Sequence, residues 1–257
     1  MGKFEELIRG NKLVMENTSL IALSKQSALN RKMAILANNL ANMNTTGFKG
    51  DKMMFVEHIQ KSRGGNAILG DKLAFVRDIA TVRDLSEGPL KTTGNPLDVA
   101  IQGEGYLVVQ TDLGDRYTRN GHLRLDETGQ LVTQQGAPVL AEGGPIIFSP
   151  QDTDINIARD GTVSSENGEI GKLRVVTFEN QQKLQVISDG LLSSEEAPTP
   201  IEQPGVVQGM LEGSNIKPII EMSRLIETQR AYEGVRKFID SEDERIKSMV
   251  RELGRTA

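Results

Sequence analysis

The side chains that most often carry out chemistry are sparse in this sequence and match no catalytic pattern. The two histidines, His58 and His122, stand far apart, and each is typical of an ordinary surface or turn residue. Gly103 and Gly105 resemble the start of a dinucleotide-binding loop, but the third glycine is missing and a strand-like run follows where a helix is required. Neither a Walker loop nor a Gly-x-Ser-x-Gly turn is present. The sequence therefore predicts no enzyme and no cofactor.

A short acidic stretch is the nearest approach to a metal site. Asp152, Asp154 and Asn156 have the spacing at which a calcium-binding loop begins. The sixth position is Ile157 where that loop needs glycine, and the twelfth is Val163 where it needs glutamate. The sequence has no cysteine, which excludes disulfides, thiol catalysis and cysteine-ligated metal. We therefore expect a solvated acidic loop and no metal.

Length and charge narrow the function classes further. The 257 residues suffice for one large domain or two modest ones. A formal net charge of −5 leaves no basic surplus to neutralise phosphates, so we expect no nucleic-acid partner. We also expect no membrane span, because no run approaches 18 apolar residues, and no secretory signal within residues 1–14.

The elements that would position any functional residue begin with a helix predicted over residues 17–43. Asn17, Thr18 and Ser19 could cap its first N–H groups, and Gly47 could adopt the left-handed conformation just after its end. One row, apolar except for its glutamine, alternates at spacings of four and three residues: Ala22, Gln26, Leu29, Met33, Leu36, Leu40 and Met43. This narrow row is typical of a coiled coil rather than of a helix lying on a globular core.

The middle of the chain changes to strand-like patterning. Short β-branched runs alternate with turn residues, at 97–101, 106–110, 123–125, 131–133, 155–158, 173–178 and 184–188. Asp160-Gly161 and Asn167-Gly168 are among the turns that separate them. This pattern predicts an antiparallel β domain.

A second long helix is predicted after Ser214 and Asn215, which could cap it, with Pro218 in its first turn and Glu221 near its positive pole. One row recurs every seven residues: Leu225, Tyr232, Ile239, Ile246 and Leu253. Its predicted companion row is Met222, Gln229, Arg236, Asp243 and Val250, polar in the centre and apolar at both ends. Sustained over more than four heptads, this pattern predicts a coiled-coil helix of about 35 residues.

The predicted fold class is therefore α+β, with long terminal coiled-coil helices flanking a central antiparallel all-β domain. The expected divisions are an extension of unknown role (1–14), a helix and connector (15–83), the β domain (84–210) and the second helix (211–257). Isolated helices are marginal in water, so the apolar rows need partners. Those partners are either the chain's other terminal helix or neighbouring subunits.

Three blocks of residues form distinctive motifs along the chain. The first is Ala-Asn-Asn-Leu-Ala-Asn-Met-Asn-Thr-Thr-Gly-Phe-Lys at 37–49. The second, at 94–101, 117–121 and 131–133, includes Gly-Asn-Pro-Leu-Asp-Val-Ala-Ile and Tyr-Thr-Arg-Asn-Gly. The third, at 211–215, 221–222 and 229–233, includes Leu-Glu-Gly-Ser-Asn and Gln-Arg-Ala-Tyr-Glu. Together the blocks frame the chain from Met15 onward, and they resemble the axial protein family of the bacterial flagellum, which contains rod, hook and hook-associated subunits.

The resemblance implies a structural subunit of the basal-body rod that is exported by the flagellar type III apparatus and polymerises into a tube in the periplasm. The glycine-rich run 138–146 favours a proximal over a distal rod subunit. The implied partners are neighbouring rod subunits, and the expected assembly residues lie on the terminal helices: Leu29, Met33, Leu36, Asn38, Asn39, Leu40, Asn42, Met43, Phe48, Met222, Leu225, Gln229, Tyr232, Arg236, Ile239, Ile246, Val250 and Leu253.

The sequence leaves alternatives open for two sets of polar residues and for the function. The asparagines at 38, 39, 42 and 44 could bond between packed chains or simply cap a fraying helix end. Gln229, Arg236 and Asp243 could face solvent or fix the register of neighbouring helices. A distal rod subunit, or a secreted adhesin or scaffold that uses the helices only to trimerise, is the other functional interpretation.

Overall fold

The computed structural model describes the backbone of residues 2–61, 72–152, 154–187 and 190–255, and the side chains of residues 20–54, 80–152, 154–187, 190–252, 254 and 255. The chain forms two compact units. The first, here called the helical unit, contains both terminal helices and a pair of strands. The second, here called the β unit, contains residues Ala41–Gly50 and Arg83–Ile216.

The helical unit is built from four elements: helix α1 (Gly2–Ala41), strand β1 (Asp51–Lys61), strand β2 (Lys72–Arg83, within this unit up to Val82) and helix α2 (Pro218–Arg255). β1 pairs with β2 in a two-stranded sheet. The sequence indicated only a connector over this segment, and neither strand was predicted. The predicted start of the first helix at residues 17–19 is also wrong, because residues 2–16 are rich in good helix formers and continue α1 towards the N-terminus.

The prediction that the terminal helices form long coiled coils is wrong, although the α+β class agrees with the structure. On α1 the covered positions fall in two adjacent rows, one of them Ala22, Gln26, Leu29, Met33, Leu36 and Leu40, the other Ile21, Ser24, Ala28, Lys32, Ile35 and Asn39. Two rows make a broad stripe, which is the pattern of a helix packed on a wide surface and not of a single coiled-coil seam. The structure therefore has two helices flanking a β-rich domain.

The β unit contains the remaining strands, which are short. In chain order they are β3 (Leu90–Thr92), β4 (Val99–Ile101), β5 (Tyr106–Thr111), β6 (Gly114–Thr118), β7 (Leu123–Leu125), β8 (Leu131–Thr133), β9 (Leu140–Ala141), β10 (Gly144–Pro145), β11 (Asn156–Ile157), β12 (Thr162–Ser165), β13 (Gly168–Lys172), β14 (Val175–Thr177), β15 (Gln185–Val186), β16 (Leu192–Ser193), β17 (Thr199–Pro200), β18 (Val206–Gln208) and β19 (Met210–Glu212). The predicted runs coincide with β7 and β8 and overlap β4, β5, β11, β14 and β15.

The centre of the β unit is an antiparallel sheet in the order β15-β16-β6-β5-β14-β17. Alternate residues of β5 point to opposite faces, so Leu107 and Val109 lie in one apolar cluster, while Tyr106 and Val108 lie in another. All four are buried, which shows that this sheet is covered on both faces.

Two smaller pairings complete the part of the β unit that concerns function. β18 pairs antiparallel with β4, and β19 pairs antiparallel with β3. Both pairings lie outside the six-stranded sheet. They bring the last residues of the β unit alongside residues 90–101.

Among the described residues, neither helix is long and apolar enough to cross a membrane.

Candidate assembly site

Three charged side chains from distant parts of the sequence meet in the interior of the β unit. Lys49 Nζ lies 2.6 Å from Glu212 Oε1, and Arg119 Nε lies 2.7 Å from Glu212 Oε2. The side chains of Lys49, Arg119 and Glu212 are 6 %, 5 % and 2 % exposed. We call these three residues the ion cluster. One carboxylate serves two cations, so the cluster carries a net positive charge in a site shielded from water.

Arg119 is held by backbone carbonyl groups as well as by the carboxylate. Its Nη1 donates to the carbonyl oxygens of Gly103 and Gly105 at 3.0 and 2.9 Å, and its Nη2 donates to those of Ile101 and Gly103 at 3.0 Å each. Carbonyl dipoles stabilise a guanidinium without adding a formal charge. The loop after β4 therefore fixes the orientation of Arg119 toward Glu212.

The remaining partners of the ion cluster come from the segment before β3. Lys49 Nζ donates to the carbonyl oxygen of Ser86 at 2.7 Å, and the Gly88 amide donates to Glu212 Oε1 at 3.0 Å. Burial alone raises the pKa of Glu212, but the Arg119 charge and the hydrogen bond from Lys49 outweigh it, so the pKa lies below its ordinary value. Burial also lowers the pKa of Lys49, because desolvation disfavours the ammonium form.

The backbone next to the ion cluster joins the segment after α1 to the segment before α2. The Gly47 amide donates to the Glu212 carbonyl at 2.8 Å, and the Asn215 amide donates to the Phe48 carbonyl at 3.3 Å. Gly47 has φ +69°, and a Cβ placed on it would lie 2.6 Å from the Arg119 carbonyl carbon. Glycine is required there both for its conformation and for the close approach.

Asn215 closes the same junction with its side chain. Its Oδ1 accepts from the Gly50 amide at 2.8 Å, and its Nδ2 donates to the Asp84 carbonyl at 2.8 Å. The prediction that Asn215 caps the second helix is therefore wrong, since its side-chain groups bond to other segments of the β unit.

A separate polar contact within the helical unit centres on Asn39, which is 3 % exposed. Its amide accepts from the Asp51 N–H at 3.0 Å, and donates to the Asp51 carbonyl at 2.9 Å and to Glu221 Oε2 at 3.2 Å. Glu221 Oε1 accepts from Arg224 Nη1 at 2.9 Å. These bonds lie within one chain, and they tie α1 to the start of β1 and to the first turn of α2.

The comparisons with known proteins agree with the three blocks seen in the sequence. Residues 20–49 match the family model described as "Flagella basal body rod protein", residues 100–165 match "Flagellar hook protein FlgE/F/G D1 domain", and residues 207–252 match "Flagellar basal body rod FlgEFG protein C-terminal". The chain is 38 % identical over 245 residues to the flagellar basal-body rod protein FlgF of Caulobacter vibrioides, an alignment that covers 94 % of this chain and 99 % of the relative.

The chain belongs to the flagellar basal-body rod protein family.

Two further relatives show the range of this family. FlgF of Salmonella typhimurium is 35 % identical over 252 residues, which is 90 % of this chain and 95 % of the relative. A FlgG rod protein of Buchnera aphidicola is 35 % identical over 242 residues, which is 84 % of this chain and 92 % of the relative. The function of the chain at this level is that of a structural subunit of the flagellar basal-body rod, and it assembles with other rod components.

The ion cluster joins the three regions of the chain that match the family models. Lys49 is the last residue of the first matched region, Arg119 lies in the second and Glu212 lies in the third. Each of the three regions that define the family in this chain therefore contributes one charge to the same buried contact. All three residues lie in the sequence blocks described above, but no local spacing joins positions 49, 119 and 212, so the sequence did not predict that they pair.

In α1 and the residues just after it, the expected assembly residues fall into two groups. Leu36 is buried, and Leu29, Met33, Leu40, Asn42 and Phe48 are partly buried within the single chain. Asn38 and Met43 are exposed. The interchain role of these residues stays a prediction. Asn39 differs from the others, because its side-chain amide is already hydrogen-bonded within the chain.

On α2 the two predicted rows have different environments. Leu225, Tyr232 and Ile239 are partly buried, while the exposed set comprises Met222, Gln229, Arg236, Asp243, Ile246 and Val250. The companion row on the covered side is instead Glu221, Thr228, Val235 and Glu242. Leu253 lies outside the residues whose side chains the structure describes.

The residues first considered for chemistry have structural partners. His122 Nδ1 lies 2.7 Å from Asp98 Oδ1, in the turn before β7. Asp152 accepts from Ser165 Oγ at 2.8 Å and from Asn167 Nδ2 at 2.7 Å, and these bonds lower the pKa of Asp152. These contacts join segments of the β unit that lie 13 to 24 residues apart in the sequence. His58 lies outside the described side chains.

Proposed function

We propose that this chain occupies the proximal part of the flagellar rod and polymerises through its terminal helices into a hollow shaft that transmits torque and surrounds the export channel. Its similarity to FlgF proteins supports the proximal position, since the alignment with the Caulobacter protein covers 99 % of that relative. The neighbours in this proposal are other proximal rod subunits and the distal rod protein.

The observation that carries the proposal is an apolar stripe on the first turns of α2. Ile219, Met222 and Ile226 follow each other at spacings of three and four residues and are 85 %, 49 % and 48 % exposed. At 100° per residue they lie roughly a third of a turn away from the covered row that begins at Glu221 and Leu225. We call Ile219, Met222 and Ile226 the exposed stripe.

Other apolar side chains extend the uncovered surface of both helices. On α1 they are Leu20 and Leu23, and on α2 they are Phe238, Ile246, Met249 and Val250. Contiguous exposed apolar residues on a helix mark an interaction surface, and each large side chain that becomes buried contributes about 1.5–3 kcal/mol. A rod subunit has this surface available for its neighbours.

The proposal also includes the route and the location of the subunit. Rod subunits lie outside the cytoplasm, and we propose that this chain passes through the flagellar type III export apparatus before it assembles in the periplasm. The resemblance to the axial family supports this route.

The experiment is complementation of a strain that lacks the gene, scored by rod completion and by swimming. In Met222→Asp the new carboxylate lies on the exposed stripe, so folding should be unaffected while a helix contact between subunits would bury a charge at a cost of several kcal/mol. Rod completion should fall at least tenfold. The matched control is Ser241→Asp, which adds the same charge at another exposed position of α2 and should swim normally.

Circular dichroism of the purified variants should show the same helix and strand content as the parent chain. If Met222→Asp folds and swims like the parent chain, the exposed stripe is not an assembly surface. If the parent chain itself fails to restore rods while being secreted normally, the proposed position in the rod is wrong.

A further inference from the structure

The last segment of the β unit is attached differently from the rest of it. Residues 206–214, here called the strap, contain β18 and β19, joined at Gly209, which has φ +71°. β18 pairs only with β4 and β19 only with β3 among the described strands, so the strap lies outside the six-stranded sheet. The strap is therefore held by two short two-stranded pairings and by a few hydrogen bonds beside them. The Gly209 amide donates to the Asp98 carbonyl at 2.8 Å, and Gln208 Nε2 donates to the carbonyls of Pro96 and Ile155 at 2.9 and 2.8 Å.

The strap contributes little apolar surface to the interior. Val206 is its single buried apolar side chain among the described residues, and residues 207–211 are partly exposed. Of its two partner strands, β3 is exposed along its whole length and β4 is buried. By contrast, β5 buries Tyr106, Leu107, Val108 and Val109 completely or nearly so. The hydrophobic effect, which stabilises the sheet, thus does little to hold the strap.

At its far end the strap is held by charge. Glu212 bonds to Lys49, Arg119 and the Gly88 amide, and its own carbonyl accepts from the Gly47 amide. Without the Glu212 charge, Lys49 and Arg119 would be two buried cations with no counter-ion, which is strongly unfavourable. Water can reach them again if the end of the strap and residues 47–50 move apart.

We infer that the strap is a separately opening element of the β unit, that Glu212 is the lock that holds it shut, and that loss of this lock frees the segments leading into β1 and α2 while the six-stranded sheet stays folded. The two leading segments are residues 47–50 and 212–216, which are bonded to each other through Gly47, Phe48, Gly50 and Asn215. The inference concerns the single chain and stands apart from the proposed position in the rod.

The Glu212 carboxylate therefore determines whether residues 47–50 and 212–216 stay together. When the strap is shut, the segments that follow α1 and precede α2 are held side by side in the β unit. When it is open, both are released together, because the same carboxylate holds them. A subunit could thereby pass between a held and a released state of its terminal segments without unfolding its β core.

The test is hydrogen exchange of the full chain, measured by mass spectrometry for the parent protein, Glu212→Gln and the control Glu142→Gln. Glu142 lies in the same unit and undergoes the same chemical change. Its side chain is 66 % exposed, and its ion pair with Lys172 is long, with Oε1 lying 3.7 Å from Nζ. In Glu212→Gln the amides of residues 206–213 should exchange at least tenfold faster and lose most of their protection, whereas those of β5 and β6 should stay protected and exchange faster only as far as the lower unfolding free energy of the variant requires. Glu142→Gln should match the parent protein throughout.

Two results with Glu212→Gln would overturn the inference. Parent-like exchange of residues 206–213 in Glu212→Gln would show that Glu212 is not the lock. Loss of protection in β5 and β6 together with the strap would show that the β unit opens as one body. The parent protein supplies an independent measurement at increasing urea concentrations below the unfolding midpoint. The free energy of the opening that exposes strap amides should be lower, and depend less on urea, than that of the opening that exposes β5 amides. A single opening free energy shared by both sets of amides contradicts the inference.

Discussion

At the residue scale, the stability of the β unit depends on one carboxylate that neutralises two buried cations. Glu212 could not be replaced by a shorter or neutral side chain without leaving Lys49 and Arg119 in mutual repulsion. Breaking a buried ion pair by removing one partner costs about 3–5 kcal/mol. Arg119 would keep its bonds to three carbonyl groups. Lys49 would keep only its bond to the Ser86 carbonyl, so most of the destabilisation should come from the unpaired Lys49 ammonium.

The ion cluster predicts how stability depends on pH. The folded-state pKa of Glu212 lies below its unfolded value, so its contribution is present above the unfolded pKa, about 4.3, and is lost as pH falls through the folded pKa. The parent chain should therefore exceed Glu212→Gln by several kcal/mol in urea unfolding at pH 7, with a smaller difference at pH 3. The pKa of Lys49 is also lowered in the folded state, so its burial weakens the fold at neutral pH, and this cost declines toward pH 10.5.

Glu142→Gln provides the control for the pH series, because that carboxylate is exposed and its ion pair with Lys172 is long. Its stability difference from the parent chain should stay within about 0.5 kcal/mol at both pH values. A pH-independent deficit of Glu212→Gln would show that the charge of Glu212 is not what holds the cluster.

At the element scale, one of the two rows predicted on α2 is covered within the chain and the other is exposed there, where its role between subunits stays a prediction. Leu225, Tyr232 and Ile239 recur every seven residues, and the structure covers them. The second covered row contains Glu221 and Thr228, whose polar groups bond to Asn39 and Arg224. Hydrophobic periodicity cannot show a covered row of polar residues, because their partners lie elsewhere in the sequence.

Neighbouring positions on α2 should therefore respond in opposite ways to the same substitution. Val235 belongs to the covered row and Arg236 is exposed. Val235→Asp places a carboxylate among partly buried groups and should lower the free energy of unfolding of the helical unit by about 1–3 kcal/mol. Arg236→Asp should change it by less than about 0.5 kcal/mol, and the two values are compared by chemical denaturation followed at 222 nm.

Equal losses of stability in Val235→Asp and Arg236→Asp would show that both residues lie in the packed face of α2. A rod-assembly defect in Arg236→Asp without a stability change would instead place that residue at a contact between subunits, which is the role predicted for it from the pattern.

At the scale of the whole molecule, the sequence predicted the order helix, β-rich middle, helix, together with several strands of the centre. It did not predict that the β unit includes residues 41–50, which follow α1, or that residues 51–61 and 72–83 are strands of the helical unit. Both results depend on pairing between distant segments, and pairing over long separations leaves no local periodicity. The ion cluster escaped prediction for the same reason.

The discontinuous β unit leads to a prediction about fragments. A fragment of residues 84–210 retains both apolar clusters of the β unit and should show a β-type circular dichroism spectrum with a cooperative melt. It lacks Lys49 and residues 211–216, so Arg119 loses its carboxylate and the strap is cut after the first residue of β19. A fragment of residues 41–216 contains the whole ion cluster and should be more stable in urea by about 3–5 kcal/mol. Glu212→Gln in the longer fragment should remove most of that gain, because the carboxylate and not the added length supplies it. Identical unfolding midpoints for the two fragments would show that the β unit is complete without its flanking segments.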